Sequence, residues 1–403
     1  MEKYTPLPNY AALGGRAEFE YDPNATPEPR LVTTKLEYGG NTYDPRIENV
    51  TANKAWGESR LVGWIYAEKA IIASLLSMTN LVVHVKDLHL ELAATFQAVT
   101  VDAFANDVTH PVRRLLDQFT HRSVQATNDN FKLLFEYRAA EFSLAPLPTD
   151  EQLRLIDDAI TNNPLNLAAL DMENFAGTHN MKPSFSVKPT SGTPKTYFWR
   201  WHYRALTVQR LLENLVECWF TSNFPNDYSD DEIKNDATIQ AWWASMVKHL
   251  PALQRAVATT EGSLKDWAKN PAAGPTRQML KNVMRTIMVW VSWIHEDVGH
   301  SAAAYVYNPI HTPMCVPEDG HGVPLASFAF NAAAYRGFVF LERAVMLDAP
   351  APHWFDQTAN DKKCYTDFQD ALRALGNSDA SFSECDETGF YSCVNRVETA
   401  VSS

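Results

Sequence analysis

Between Glu58 and Phe104 the chain runs through a mostly apolar stretch that contains no proline and few other helix breakers. A stretch of this length and composition predicts one or two largely buried helices, since strands are much shorter. Helical periodicity returns in three later segments, YRALTVQRLLENLVECWF, IQAWWASMVKHL and TRQMLKNVMRTIMVWVSWIHEDVGHSAAAYVY. No βαβ alternation, internal repeat or glycine-rich phosphate loop accompanies them. The sequence therefore predicts a mainly α fold built around a long central helix.

Two regions differ from this helical pattern. Residues 1–55 are rich in Pro, Gly, Asn and Tyr and carry Gly-Gly turn signals, which predicts an irregular N-terminal arm. Residues 145–195 contain six prolines and predict short helices joined by extended loops. Residues 56–403 are expected to form one helical domain, because a hydrophobic content of 45% is enough to bury a large core.

The charge balance limits the partners of this chain. It carries 48 acidic against 35 basic residues, a net charge of −13, which disfavours a role dominated by nucleic acid or an anionic membrane surface. Charged residues soon interrupt even the apolar run MVWVSWI, so no stable membrane insertion is expected. The first residues, MEKYTPLPNYAALGG, do not read as a secretory signal. Five scattered cysteines fit reduced thiols, and a cytoplasmic protein is therefore expected.

Two histidines, His84 and His89, lie inside the predicted central helix and are five residues apart. In an ordinary α-helix, five steps of about 100° leave them roughly 140° apart around the axis, too far to share one ion. A π-helical turn, with its i to i+5 bonding, places such residues nearly above one another. Imidazole is a good ligand for Fe, Mn, Zn or Cu. An isolated pair at this spacing is more often two histidines with ordinary hydrogen bonds, so other residues must support the metal interpretation.

Four further stretches resemble lipoxygenases in the correct order. They are HPVRRLLDQFTHR, DDEIKNDATIQAWW, TRQMLKNVMRTIMVWVSWIHEDVGH and the chain end RVETAVSS. Together with the histidine pair, the resemblance covers about residues 60–403. It implies a helical catalytic domain in which the first two histidines stand on a helix with a π segment.

The resemblance also implies a non-heme iron site, with manganese as the alternative. It implies four metal ligands: His84, His89, His300 and the terminal carboxylate of Ser403. Ser403 takes this place because the chain end runs parallel with the last segment of the family and has no overhang. Without the resemblance, a frayed polar tail would be the ordinary interpretation of such a chain end.

His295 and Glu296 precede His300 on the same predicted helix. They are expected to assist catalysis by orienting the ligands or moving protons, with Glu296 as an alternative ligand. The H-E-x-x-x-H spacing is one residue too long for the H-E-x-x-H zinc protease motif, which argues against protease chemistry.

The chain departs from the lipoxygenase pattern in two places. The family usually has Asn or His four residues after the third histidine, where this chain has Ala304. Loss of that ligand would open a coordination position on the metal. Fewer than ninety residues precede His84, so the N-terminal β-barrel domain of the family is expected to be missing.

The resemblance implies an oxidoreductase of the dioxygenase or oxidase type. It would remove a hydrogen atom from a hydrophobic, unsaturated small molecule, and the resulting radical would react with O2. A fatty acid is the default substrate, and specialised metabolism is the expected setting. Two alternatives stay open: a non-redox cyclase or isomerase that uses the same pocket, and a catalytically inactive small-molecule-binding protein. Fold alone does not separate these functions.

Overall fold

The computed structural model describes residues 1–25, 30–46, 61–138, 141, 144–189, 197–259, 274–299, 313–321, 346–347, 358–383, 393–394 and 397. Helices dominate these residues, which confirms the predicted mainly α fold. The longest helix runs from Gly63 to Ala103 without interruption and carries both His84 and His89, as predicted.

This long helix has three parts: α1 (Gly63–Met78), a π segment (Thr79–Ala94) and α2 (Thr95–Ala103). The chain keeps right-handed helical dihedral angles at both junctions, so the change of winding does not break the helix. By length and composition the helix could cross a membrane, which was not expected from the sequence. However, 72% of its most apolar part is buried inside the fold, as in a core helix.

The remaining helices follow along the chain. They are α3 (Pro111–Thr120), α4 (Ser123–Phe131), α5 (Thr149–Asn162), α6 (Leu167–Leu170), α7 (Met172–Thr178), α8 (Arg200–Asn223), α9 (Asp230–Asn235), α10 (Ala237–His249), α11 (Pro251–Ala258), α12 (Arg277–Val289), α13 (Ala359–Ser378) and α14 (Ala380–Ser383). Short π segments follow α4 (Lys132–Glu136) and α12 (Trp290–Ile294), and 3₁₀ turns lie at Pro183–Ser186 and Pro225–Asp227. The short helices predicted in the proline-rich region are confirmed as α5, α6 and α7.

The largest core cluster lies where the long helix packs among the later helices, with α8 lying against both α12 and α13. Trp219 and Trp242 are among the largest fully buried side chains. Their indole N–H groups donate to the Pro111 carbonyl (2.8 Å) and to the Thr100 hydroxyl (3.1 Å). A buried indole needs such an acceptor, so these two residues join apolar packing to fixed contacts between α8 and α3 and between α10 and α2.

A three-stranded antiparallel sheet precedes the long helix, so the predicted irregular arm is wrong for this part of residues 1–55. Its strands β1 (Arg16–Asp22), β2 (Arg30–Tyr38) and β3 (Asn41–Tyr43) pair in the order β1-β2-β3. Gly39 and Gly40 connect β2 to β3 with φ of 58° and 75°. Two positive φ angles are the requirement of a type I′ hairpin. The Gly-Gly pair was thus a hairpin signal.

A polar network joins the start of α3 to the start of α10. His110 accepts a hydrogen bond from the Val112 backbone at Nδ1 (3.1 Å), so its Nε2 carries the proton and donates to Asp236 (2.9 Å). The Tyr228 hydroxyl donates to the same carboxylate (2.7 Å), which also caps α10 through the Ile239 backbone N–H (3.0 Å). Burial alone would raise the pKa of Asp236, but these hydrogen bonds outweigh it and lower the pKa to about 2.

A disulfide joins α8 to α13. Cys218 and Cys364 are bonded although 146 residues separate them, and their Cα atoms are 5.7 Å apart. Cys393 is also disulfide-bonded, whereas Cys315 is buried and free. The prediction of reduced thiols is therefore wrong for three of these cysteines, because the fold brings distant residues together. The expected cytoplasmic location loses that support.

We expect Cys218→Ala to lower the free energy of unfolding by about 3–5 kcal/mol, because the cross-link closes a long loop in the unfolded chain. Urea denaturation measures this loss. Cys364→Ala should give the same loss, and the double variant should lose no more than either single one. Losses that add in the double variant would show that the two cysteines are not linked.

Asp236→Asn should lower the free energy of unfolding by about 1–2 kcal/mol at pH 7. Asparagine still caps the helix, but it does not replace the anion that accepts from His110 and Tyr228. Since folding lowers the pKa of Asp236 from 3.8 to about 2, the carboxylate stabilises the fold above pH 3.8 and loses this effect as the pH falls through 2. Urea denaturation of wild type and variant should show a difference at pH 3 of about half that at pH 7.

Asp231→Asn is the matched control for this experiment, because Asp231 is exposed in the first turn of α9. It should stay within about 0.5 kcal/mol of wild type at both pH values. An Asp236→Asn loss of the same size at pH 3 and pH 7 would contradict the linkage.

Candidate metal centre

The long π segment turns His84 and His89 toward each other. Their Nε2 atoms are 3.2 Å apart, and both side chains are buried. Bonding from i to i+5 is what aligns residues five apart, which a regular α-helix would leave on different faces. The predicted π winding at this pair is confirmed.

Hydroxyl groups supply additional donors to the carbonyls of this segment. Thr95, the first residue of α2, donates to the Leu90 carbonyl (3.1 Å), and Thr127 of α4 donates to the His89 carbonyl (3.4 Å). Backbone carbonyls near a change of winding need partners as much as those in a regular helix do. These contacts therefore stabilise the end of the π segment beside His89.

A buried lysine anchors the same segment to its neighbours. Lys86, fully buried, forms ion pairs with Asp87 and with Glu91 (3.3 Å), and it donates to the Asn163 carbonyl at the end of α5 (3.1 Å). Arg255 of α11 also pairs with Glu91 (3.4 Å). A buried ammonium group is tolerated only when it is paired in this way. The network ties the turn that carries the histidines to α5 and α11.

A third histidine completes the cluster from the opposite side. The π segment Trp290–Ile294 follows α12 and ends directly before His295, which is 3% exposed. The Nε2 atom of His295 lies 3.1 Å from that of His84 and 3.4 Å from that of His89. Two π segments, far apart in the sequence, thus bring three imidazoles to one point.

The structure describes only two of the four predicted ligands. His84 and His89 lie together as predicted, and His295, which was expected to assist, stands in the third place of the cluster. His300 and Ser403 lie outside the described residues. His295 and His300 have the same five-residue spacing as His84 and His89, so the sequence contained no local signal that His295 faces the pair.

Glu296 and Asp297 follow His295 and are both buried, 2% and 3% exposed. Within the described part of the chain, the set of side chains placed to hold one ion consists of the three histidines and does not include the Glu296 carboxylate. Asp297 lies 3.8 Å from the fully buried guanidinium of Arg204, which in turn stacks over the ring of Trp293 (4.8 Å). This cation balances the charge of Asp297 on the helix that carries His295.

The three Nε2 atoms form a triangle with edges of 3.1, 3.2 and 3.4 Å. Burial, reinforced by His84 and His295, holds the pKa of His89 well below its ordinary value, so its imidazole is neutral at pH 7 and offers a lone pair. Nitrogen atoms this close repel one another unless a proton or cation lies among them. For an ion about 2.1 Å from each nitrogen, the nitrogen–ion–nitrogen angles would be about 95° to 108°, close to the ligand angles of tetrahedral or octahedral coordination. The residues fit a divalent transition metal, and the donor set alone is compatible with Fe, Mn, Zn or Cu.

Gly299 lies one helical turn beyond His295 and is buried. A Cβ atom at this position would meet Cε1 and Nε2 of His84 at 3.9 Å, an ordinary contact distance. Its backbone is helical, so its conformation does not require glycine, and no described residue crowds the position. Glycine inside a helix is less stable than alanine by about 0.5–1 kcal/mol. If His295 is counted as the third histidine, Gly299 stands where lipoxygenases usually carry Asn or His.

Comparison with solved structures identifies this architecture. The chain matches a calcium-dependent 11R-lipoxygenase with a TM-score of 0.72 and 14% identity, over 100% of this chain and 56% of that one. It matches the coral 8R-lipoxygenase with a TM-score of 0.71 and 15% identity, over 100% of this chain and 58% of that one. A LOX deletion variant in complex with arachidonate matches with a TM-score of 0.67 and 15% identity, over 93% of this chain and 53% of that one.

The chain spans little more than half the length of these structures. No sequence family matches it, and no curated protein matches it by sequence. The likeness therefore concerns the fold, and at that level the predicted resemblance is confirmed. This chain has the fold of the lipoxygenases and gathers a buried cluster of three histidines within it.

Proposed function

We propose that this protein is a lipoxygenase-like non-heme metal oxidoreductase that holds iron, with manganese as the alternative. Its substrates are a hydrophobic, unsaturated small molecule and O2. The observation that carries the proposal is the triangle of Nε2 atoms from His84, His89 and His295 inside a lipoxygenase fold.

The chain contributes binding and exclusion of water to this chemistry. His84, His89 and His295 would hold the ion, which when bound supplies the one-electron redox chemistry that removes a hydrogen atom from an activated methylene before O2 adds. Leu88 and Ile294, the sequence neighbours of His89 and His295, are buried in the main core cluster, so the helices that carry these histidines are packed into a dry interior. By keeping the site dry and its ligands rigid, a protein sets the redox potential of such a metal.

A long-chain unsaturated fatty acid is the default substrate, supported by the arachidonate complex of the LOX variant with the same fold. The net charge of −13 supports a small molecule rather than nucleic acid as the partner. A neutral or weakly charged substrate would meet less repulsion from this acidic protein than a polyanion would.

Elemental analysis of purified protein, loaded anaerobically with Fe(II), should find near one metal ion per chain. His84→Ala and His295→Ala should each reduce the bound metal at least about tenfold, because each removes one of three neutral nitrogen ligands. His249→Ala, which changes an exposed histidine at the end of α10, should retain the metal.

His300→Ala belongs in the same series, since the sequence predicted His300 as the third ligand. Retention of metal by His295→Ala together with its loss from His300→Ala would overturn the assignment of His295. Absence of metal from wild type after loading would overturn the oxidoreductase proposal.

An oxygen electrode should record O2 uptake when the iron-loaded protein meets an unsaturated fatty acid, and His84→Ala should abolish it. Uptake requires the metal, whereas simple binding of the fatty acid to an apolar pocket does not. Conversion of the substrate without O2 would favour a cyclase or isomerase. Binding with no conversion in air would favour a catalytically inactive binding protein.

A further inference from the structure

The helix that carries His295 is held in place where its winding changes. Trp290 is the first residue of the π segment that follows α12, and it is 5% exposed. Its indole N–H donates a hydrogen bond to the Leu170 carbonyl at the end of α6 (2.9 Å). A buried indole needs such an acceptor, so this bond fixes the side of the helix on which Trp290 lies.

Trp290 is also coupled to His295 through the backbone. The backbone N–H of His295 donates to the Trp290 carbonyl, which is a bond between residues five apart. Under π winding, residues at this separation lie nearly above one another. The direction of the Trp290 side chain therefore sets the direction of the His295 imidazole. A shift of the segment by one residue would turn that imidazole away from the other two histidines of the cluster.

The acceptor of the indole bond belongs to residues 170–172, the junction between α6 and α7, which is itself held by two helices. Asp171 is fully buried and accepts hydrogen bonds from Arg285 of α12 (2.7 Å) and from Gln209 of α8 (2.8 Å). The Met172 backbone N–H donates to the Gln209 side-chain oxygen (3.0 Å). Buried charge-assisted hydrogen bonds of this kind hold a defined geometry. The Leu170 carbonyl is therefore a fixed acceptor.

We propose that Trp290 is a positioning residue that directs His295 into the histidine cluster through its bond to the Leu170 carbonyl. This inference rests on the proposed function, because the direction of His295 matters to a metal that the cluster holds. It deepens that function by making metal binding depend on a hydrogen bond outside the cluster.

The test measures Co(II) binding, because the visible absorption of Co(II) reports its coordination without redox change. Trp290→Phe keeps an aromatic ring in the core but removes the donor. It should raise the Co(II) dissociation constant at least about tenfold and change the shape of the visible band, since His295 would no longer hold its place beside His84 and His89.

Trp219→Phe is the matched control. The Trp219 indole is fully buried and donates to the Pro111 carbonyl (2.8 Å), so this substitution removes a bond of the same kind that joins α8 to α3. It should lower the urea midpoint by an amount similar to that for Trp290→Phe. Its Co(II) band should match wild type, and its Co(II) affinity should stay within about twofold of wild type.

Equal effects of the two variants on Co(II) binding would overturn the proposal, because a general loss of stability would then explain both. An unchanged Co(II) constant and band in folded Trp290→Phe would overturn it as well. If Trp290→Phe does not fold, as judged by circular dichroism, Gln209→Met takes its place, because it removes the bonds of Gln209 to the junction and keeps an unbranched side chain. Gln209→Met should weaken Co(II) binding at least about threefold, and unchanged binding would overturn the proposal.

Failure of wild type to take up Co(II), or full retention of Co(II) by His295→Ala, would be a different result. Either outcome would remove the proposed metal site or its third ligand, and the positioning role with it. Uptake by wild type, loss in His295→Ala and no response to Trp290→Phe would together remove only the positioning role.

Discussion

The register of two π segments is the constraint on which the histidine cluster depends. His84 and His89 share one side of the long helix only because i to i+5 winding aligns them, and His295 meets them directly after a second segment of the same kind. A π segment is less favourable than an α-helix and is kept where surrounding contacts require it. Here those contacts are the Lys86 ion pairs and the hydroxyl groups of Thr95 and Thr127.

Burial and charge act together around the cluster. The long helix is apolar enough to resemble a membrane span, yet other helices cover most of that apolar part. Two buried ion pairs lie in this interior, one between Lys86 and Glu91 and one between Asp297 and Arg204. An interior of this kind favours neutral imidazoles, which are the form that binds metal. The same packing that stabilises the fold therefore keeps His89 in the form that could bind an ion.

Local pattern was sufficient for part of this arrangement and insufficient for the rest. The apolar stretch predicted the long helix, because helical pattern is a property of neighbouring residues, whereas the π winding at His84 and His89 was implied by the resemblance to lipoxygenases. The position of His295 in the cluster depends on how the segment Trp290–Ile294 winds against the rest of the fold. The pairing of distant cysteines likewise depends on helix packing, which sequence spacing does not encode. At the N-terminus, the pair Gly39-Gly40 marks a hairpin, because both residues have the positive φ angles of a type I′ turn.

The disulfide and the histidine cluster also have a relation in chain topology. The covalent ring closed by Cys218 and Cys364 contains His295, while His84 and His89 lie outside it. An ion shared by His89 and His295 would close a second ring that overlaps the first. Two overlapping closures restrict some of the same freedom of the unfolded chain, so their stabilising effects are not independent. Disulfide and ion are in this respect partial substitutes, and a chain that has formed one has less entropy left to lose when it forms the other.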